Sequence, residues 1–89
     1  MNDIQEDGAV QEKILEILEK ITATDEVRKN LDLELFDEFV LDSLGLVQLV
    51  VELSQAFSIE IAPAEVEREE WSTPRKIIKN IEKKISFRA

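Results

Sequence analysis

The fold of this chain is organised around residues 41–57, which read LDSLGLVQLVVELSQAF. At its start a polar loop gives way to a strongly apolar run. Asp42 and Ser43 are both residue types that cap helices, because their side-chain oxygens accept a hydrogen bond from an unpaired backbone N–H. The apolar residues that follow recur at helical spacing. The stretch therefore predicts a helix that begins at Asp42 or Ser43 and runs to about Phe57.

This predicted helix has two apolar stripes when its residues are placed at about 100° per step. The first stripe is wide enough for a core face, and its members are Leu46, Leu49, Val50, Leu53 and Phe57. The second stripe, centred about 130° away, consists of Leu44, Val47 and Val51. Either the preceding loop covers the second stripe, or the stripe stays exposed as a docking surface beside Ser43. The sequence leaves both possibilities open.

Upstream of this helix the apolar pattern predicts one more helix. Val10, Ile14, Ile17 and Ile21 recur at spacings of four, three and four residues, which is typical of an amphipathic helix of three to four turns. Residues 1–7 carry little pattern, and we expect them to be flexible. The single folded domain is therefore predicted to begin near residue 8.

The segment 26–41 has no sustained period, although it is rich in apolar residues. We expect a long loop that packs its own side chains onto the core, because a free loop would hold fewer apolar residues. Those apolar residues are Val27, Leu31, Leu33, Leu35, Phe36, Phe39 and Val40.

Downstream of the central helix, a short extended link leads into a brief helical turn predicted at 64–68. Ser72-Thr73-Pro74 combines helix-capping residues with a proline suited to the first turn, and so marks a further helix start. The inner face of that last helix is formed by Ile77, Ile78, Ile81 and Ile85, and we expect Trp71 in the core or at its rim. The sequence thus predicts an all-α fold with three main helices, one short helix and a long first loop. The domain would span 8–86, with a tail at 87–89.

Composition excludes several classes of function. The chain has 89 residues, no cysteine, no histidine and a net charge of -9. Disulfides are therefore excluded, and a negative charge opposes binding to nucleic acid. We expect no metal site, because no run of acids matches a calcium-binding loop. No apolar run has the length of a membrane span, and the acidic start is unlike a secretory signal, so we expect a cytoplasmic protein.

Ser43 is the best candidate for a functional residue. It has no histidine to activate it, so it is poorly suited to catalysis. It is better suited to modification by another enzyme. A plain capping role is the alternative. A helix N-terminus presents free N–H groups and a partial positive charge, which would stabilise a phosphodiester attached there.

The string Leu41-Asp42-Ser43-Leu44, followed by an amphipathic helix, resembles the acyl and peptidyl carrier protein superfamily. The predicted helix order matches the four-helix bundle of that superfamily. Three further strings resemble the D-alanyl carrier proteins of teichoic acid D-alanylation more closely. They are Leu-Phe-Asp-Glu, Asp-Ser-Leu-Gly-x-Val-Gln-Leu and Glu-Trp-Ser-Thr-Pro, and the similarity extends from Val10 to about Lys83.

The resemblance implies a role for each of these residues. It implies Ser43 as the covalent attachment site of 4′-phosphopantetheine and Asp42 and Leu44 as contacts of the phosphopantetheinyl transferase. It places Val47 and Val51 on the helix that partners recognise. The group carried would be D-alanine, held as a thioester after loading by a D-alanine-activating ligase. A membrane acyltransferase system would receive it for transfer to teichoic acid.

On this resemblance we expect a monomeric carrier and not an enzyme. Two alternatives stay open. The chain could carry another acyl or amino acid, since that would use the same motifs. It could also be a helical interaction module that is never modified on Ser43.

Overall fold

The computed structural model describes the backbone of residues 2–88 and the side chains of residues 8–62 and 64–86. Within that part of the chain the structure contains α-helices and 3-10 turns, and no strand. The α-helices are α1 (Asn2–Thr22), α2 (Glu26–Lys29), α3 (Ser43–Phe57) and α4 (Pro74–Arg88), and the two 3-10 turns span Pro63–Glu65 and Arg68–Trp71. The predicted all-α fold is confirmed.

The ends of the chain differ from the sequence pattern. α1 begins at Asn2, well before Val10, where the apolar stripe starts. Acidic residues are favourable near a helix N-terminus, but they leave no apolar period from which a helix could be predicted. The backbone of the segment 1–7 is thus helical from Asn2 onward, and its flexibility stays a prediction. Of the predicted tail, residue 89 lies outside the described residues, and the backbone before it belongs to α4.

The structure contains one short helix that the sequence did not predict, and the predicted one differs in position. The long first loop contains α2, a single turn whose Val27 is buried. Arg28 joins this turn to α1 through Glu12, with Nη1 2.8 Å from Oε1, and through Glu19 at 3.3 Å. One turn with one apolar residue has no period to detect. The short helix predicted at 64–68 is instead divided between the two 3-10 turns.

The core lies between α1, α3 and α4, and the long loop closes one side of it. Its fully buried side chains include Ile14, Leu18, Leu35, Leu49, Leu53, Ile77 and Ile81. Trp71 is also buried, as predicted. Two backbone hydrogen bonds fasten the loop to the start of α4: Leu35 N donates to Ser72 O, and Arg75 N donates to Leu31 O. The loop is therefore held in place at the N-terminal end of α4.

The start of α4 follows the predicted capping chemistry. Pro74 is the first helical residue, and Thr73 Oγ1 accepts a hydrogen bond from Lys76 N at 3.2 Å. Thr73 is buried, so this cap is part of the packed interior. Among the described residues, no helix combines the length and apolar character needed to cross a membrane.

Candidate functional site

Asp42 is the residue that caps α3. Its backbone is extended, and its Oδ1 accepts a hydrogen bond from Gly45 N at 2.7 Å. Its carbonyl oxygen also accepts the first bond of the helix, from Leu46 N. Of the two capping residues that the sequence offered, the structure uses Asp42, and Ser43 becomes the first residue of the helix.

Ser43 is exposed, and its hydroxyl is not needed by the fold. Among the described residues, neither this hydroxyl nor the backbone amides of Ser43 and Leu44 take part in a hydrogen bond. The plain capping role is therefore not the one that Ser43 fills. The side chain is accessible at a helix N-terminus, where free N–H groups and the helix dipole favour a negatively charged substituent.

Gly45 allows the first turn of α3 to pack closely on the loop. A Cβ atom at this position would lie 2.8 Å from Leu41 Cδ1 and 3.2 Å from Asp42 Oδ1. Leu41 is itself buried, so its side chain has little room to move. The absence of a side chain at Gly45 thus leaves room for both the capping carboxylate of Asp42 and the buried side chain of Leu41.

The second apolar stripe of α3 is exposed. The exposed fractions are 68% for Leu44, 59% for Val47 and 47% for Val51. The long loop therefore does not cover this face, and of the two possibilities left open by the sequence the structure favours the exposed one. Ser43 lies at one end of the stripe, one residue before Leu44.

A shallow groove runs beside the same serine. It has a volume of about 480 Å³ and lies between α3 and the segment that follows it. Its walls are formed by Ser43, Leu46, Val47, Val50, Val51, Ser54, Ile61 and Val66. The lining is mostly apolar, so a slender group attached to Ser43 has a surface along which it can lie.

Phe39 does not behave as the sequence predicted. The loop was expected to pack its apolar side chains onto the core, yet Phe39 is 93% exposed. Its φ is 58°, in the left-handed region. It ends a turn in which Val40 N donates to Leu35 O at 2.9 Å. Turning the chain so sharply directs Val40 and Leu41 toward the bundle and leaves the ring of Phe39 outside.

Chemically, this site can accept a group but has no means of activating one by itself. The chain contains no histidine and no cysteine. Across the described residues, no cluster of acidic side chains is placed to hold a metal ion. The start of α3 thus presents an exposed, unbonded hydroxyl beside an apolar surface, where another enzyme can reach it.

Comparison with known proteins identifies the class. Residues 12–81 match the family model described as a phosphopantetheine attachment site. That match includes Ser43 and most of α1, α3 and α4.

Individual relatives define the group within that class. The chain is 46% identical to the D-alanyl carrier protein of Lacticaseibacillus rhamnosus over 76 residues, covering 85% of this chain and 94% of that protein. It is 48% identical to the D-alanyl carrier protein of Enterococcus faecalis over 73 residues, covering 82% and 94%. The chain belongs to the phosphopantetheine-attachment family and, within it, to the D-alanyl carrier proteins.

This membership makes the chain a carrier protein that bears 4′-phosphopantetheine covalently, and not an enzyme. The residues present fit that group. The Ser43 hydroxyl is free to form an ester, the amides of Ser43 and Leu44 are available to a phosphate, and the groove beside them is apolar.

Proposed function

We propose that this chain holds D-alanine as a thioester on a 4′-phosphopantetheine arm attached to Ser43. The observation that carries the proposal is the division of roles at the start of α3. Asp42 supplies the cap, with Gly45 N 2.7 Å from its Oδ1, and so leaves the neighbouring hydroxyl exposed and unbonded. The relatives named D-alanyl carrier proteins support D-alanine as the group carried.

Ser43 acts as the acceptor in the attachment step. Its Oγ forms a bond to the phosphorus of the phosphopantetheine moiety of coenzyme A, the pyrophosphate bond breaks, and the nucleotide part leaves. The hydroxyl proton passes to a base on the transferase. Asp42 and Leu44, on either side of the serine, are the proposed transferase contacts.

After attachment, the start of α3 stabilises the new phosphodiester. The amides of Ser43 and Leu44 point from a helix N-terminus, where an anion gains about 0.3–1 kcal/mol at an exposed site. When bound, the arm supplies the terminal thiol that holds the acyl group. The chain's own contribution is to fix one end of the arm while the other end moves.

The exposed stripe of α3 is the proposed surface for partners. Val47 and Val51 lie on the same face as Leu44, next to the groove that begins at Ser43. We propose that the phosphopantetheinyl transferase, the D-alanine-activating ligase and the membrane acyltransferase system for teichoic acid dock here in turn. On this proposal the carrier is a monomer and acts in the cytoplasm. It meets the membrane system from the inner side.

The proposal is tested by following the mass of the intact protein. The wild type, Ser43→Ala and Ser54→Ala are each incubated with coenzyme A and a phosphopantetheinyl transferase. Ser54 is the matched control because it lies on the same helix with its hydroxyl donating to Val51 O. We expect one added phosphopantetheine on the wild type and on Ser54→Ala, and none on Ser43→Ala.

The cargo is tested in a second step. The modified protein is given ATP, the ligase and a mixture of D-alanine and other amino acids, and the thioester is identified by its mass. D-alanine as the bound acid supports the proposal, and a different acid would make the chain a carrier for another substrate. An unmodified wild type after prolonged incubation would instead favour a simple interaction module.

A further inference from the structure

Phe39 is the least expected residue of the molecule. Its ring is almost fully exposed, and its backbone has a φ of 58°. The left-handed region brings the Cβ atom of an ordinary residue close to a backbone oxygen, so glycine is the residue that fits it best. The fold therefore gains nothing from an aromatic side chain here, because the backbone is disfavoured and the ring is not packed.

The charged residues nearest to Phe39 in the sequence are acidic. Asp37, Glu38 and Asp42 are all exposed. Residues 30–67 contain nine acidic residues and no lysine or arginine. The bases that contact this segment come from outside it and already have partners there. Arg68 lies over the ring of Phe36, 4.5 Å from its centre, and Arg75 pairs with Asp32. An exposed aromatic ring thus stands in an anionic setting.

Phe39 is also close to the reacting hydroxyl. It lies four positions before Ser43, and a fully extended chain of that length spans at most about 14 Å. An enzyme that brings its catalytic groups to Ser43 Oγ therefore comes within reach of this part of the surface. Enzymes that act on the far end of a flexible arm have no such constraint.

We propose that Phe39 is a docking residue for the phosphopantetheinyl transferase, and that its ring enters an apolar pocket rimmed by lysine or arginine side chains. The inference rests on the proposed function of Ser43. Aromatic residues that insert into a pocket contribute much of the energy of many interfaces. Complementary charges around them accelerate association and set orientation.

A protein partner fits these observations better than a lipid surface does. An exposed aromatic ring can enter a membrane interface, but the cytoplasmic leaflet is anionic and attracts basic segments. The acidic residues beside Phe39 would be repelled by it. The ring and its charged neighbours together match a basic protein surface with an apolar pocket.

The test uses the substitution Phe39→Gly, which removes the ring and also relieves the backbone. Ser58→Gly is the matched control, because Ser58 is exposed, has a φ of 53° and caps the opposite end of α3. We expect both variants to melt at a higher temperature than the wild type. Only Phe39→Gly should lower kcat/KM for phosphopantetheinylation, by about tenfold, as for removal of an interface anchor.

Phe39→Leu gives a second measurement with an apolar side chain retained. We expect its kcat/KM to lie between those of the wild type and Phe39→Gly. If the wild type and Phe39→Gly are modified at the same rate, the inference is overturned and the proposed function stays intact. A defect confined to loading by the ligase, or to binding of anionic vesicles, would overturn it as well. A wild type that no transferase modifies would instead remove the proposed function.

Discussion

The two apolar faces of α3 consist of the same kinds of residue, but one is buried and the other is exposed. Leu49 and Leu53 are completely buried in the core, whereas Leu44 and Val47 lie mostly in solvent. Burying one such side chain is worth about 1.5–3 kcal/mol. The exposed face does not gain this stabilisation, although the loop 26–41, which could cover it, ends only a few residues before Leu44. Folding explains the first face, and function is needed to explain the second.

The largest difference is expected in stability. Leu53→Ala removes a fully buried side chain and should lower the free energy of unfolding by about 2–5 kcal/mol, since a cavity remains in a close-packed core. Leu44→Ala makes the same chemical change on the same helix, but its effect should stay within about 0.5 kcal/mol. Denaturant titration followed by circular dichroism measures both. Equal destabilisation by the two substitutions would contradict the division of α3 into two faces.

The next effect should be seen in recognition and not in stability. Val47→Glu places a charge in the middle of the exposed stripe, and we expect kcat/KM for modification and for loading to fall about tenfold, or 1.4 kcal/mol. Gln48→Glu introduces the same charge on the same turn but outside the stripe, and should leave both rates near wild type. Both variants should retain the cooperative melting of the wild type. Loss of cooperative melting in Val47→Glu would show that the stripe is core.

The sequence predicts the structure best where a pattern extends over several turns. The buried stripe of α3 and the isoleucines of α4 repeat often enough to fix both helices, and the helix start at Thr73-Pro74 follows from local chemistry. α2 could not be found in this way, because a turn with Val27 alone has no period. The site motif around Ser43 was visible in the sequence as well.

Two features of the site depended on tertiary structure. The sequence offered Asp42 and Ser43 as equal caps, and only the hydrogen bond between Gly45 N and Asp42 Oδ1 distinguishes them. Phe39 was expected to pack onto the core because it is apolar and lies among apolar neighbours. Its exposure follows from the backbone turn after Phe36, and nothing in residue type or spacing indicates that turn.

A smaller loss of stability is expected from a change at the N-terminal cap of α3, the helix that bears both faces. Asp42→Ala removes the cap of α3 and should lower the free energy of unfolding by about 1 kcal/mol. Asp42→Asn keeps an oxygen that can accept the Gly45 amide and should retain most of that stability. Thermal melting compares the two. If Asp42→Ala melts like the wild type, then Ser43 has taken over the cap, and its hydroxyl is less free than the structure shows.

The smallest effects are expected in how stability depends on pH. They should involve the ion pairs that hold the bundle together and not the exposed stripe. The hydrogen bond from Arg75 Nε to Asp32 Oδ1, at 2.8 Å, lowers the pKa of that carboxyl. The hydrogen bond from Arg28 to Glu12 lowers the pKa of the glutamate in the same way. A carboxyl whose pKa is lower in the folded chain than in the unfolded one stabilises the fold while it is ionised. That stabilisation is complete above the unfolded pKa, near pH 4, and disappears as the pH falls through the folded value.

The melting temperature should therefore decrease as the pH is lowered below about 4. Asp32→Asn should reduce this acid sensitivity, because one of the responsible carboxyls is gone. Asp37→Asn is the control, since Asp37 is exposed and forms no ion pair among the described residues. Val47→Glu adds a carboxyl to the stripe, none of whose residues takes part in the ion pairs of Arg28 and Arg75, and should melt with the acid dependence of the wild type. A strong change of that dependence in Val47→Glu would mean that the stripe is coupled to the ion pairs that hold the bundle, and that the two faces of α3 are not independent.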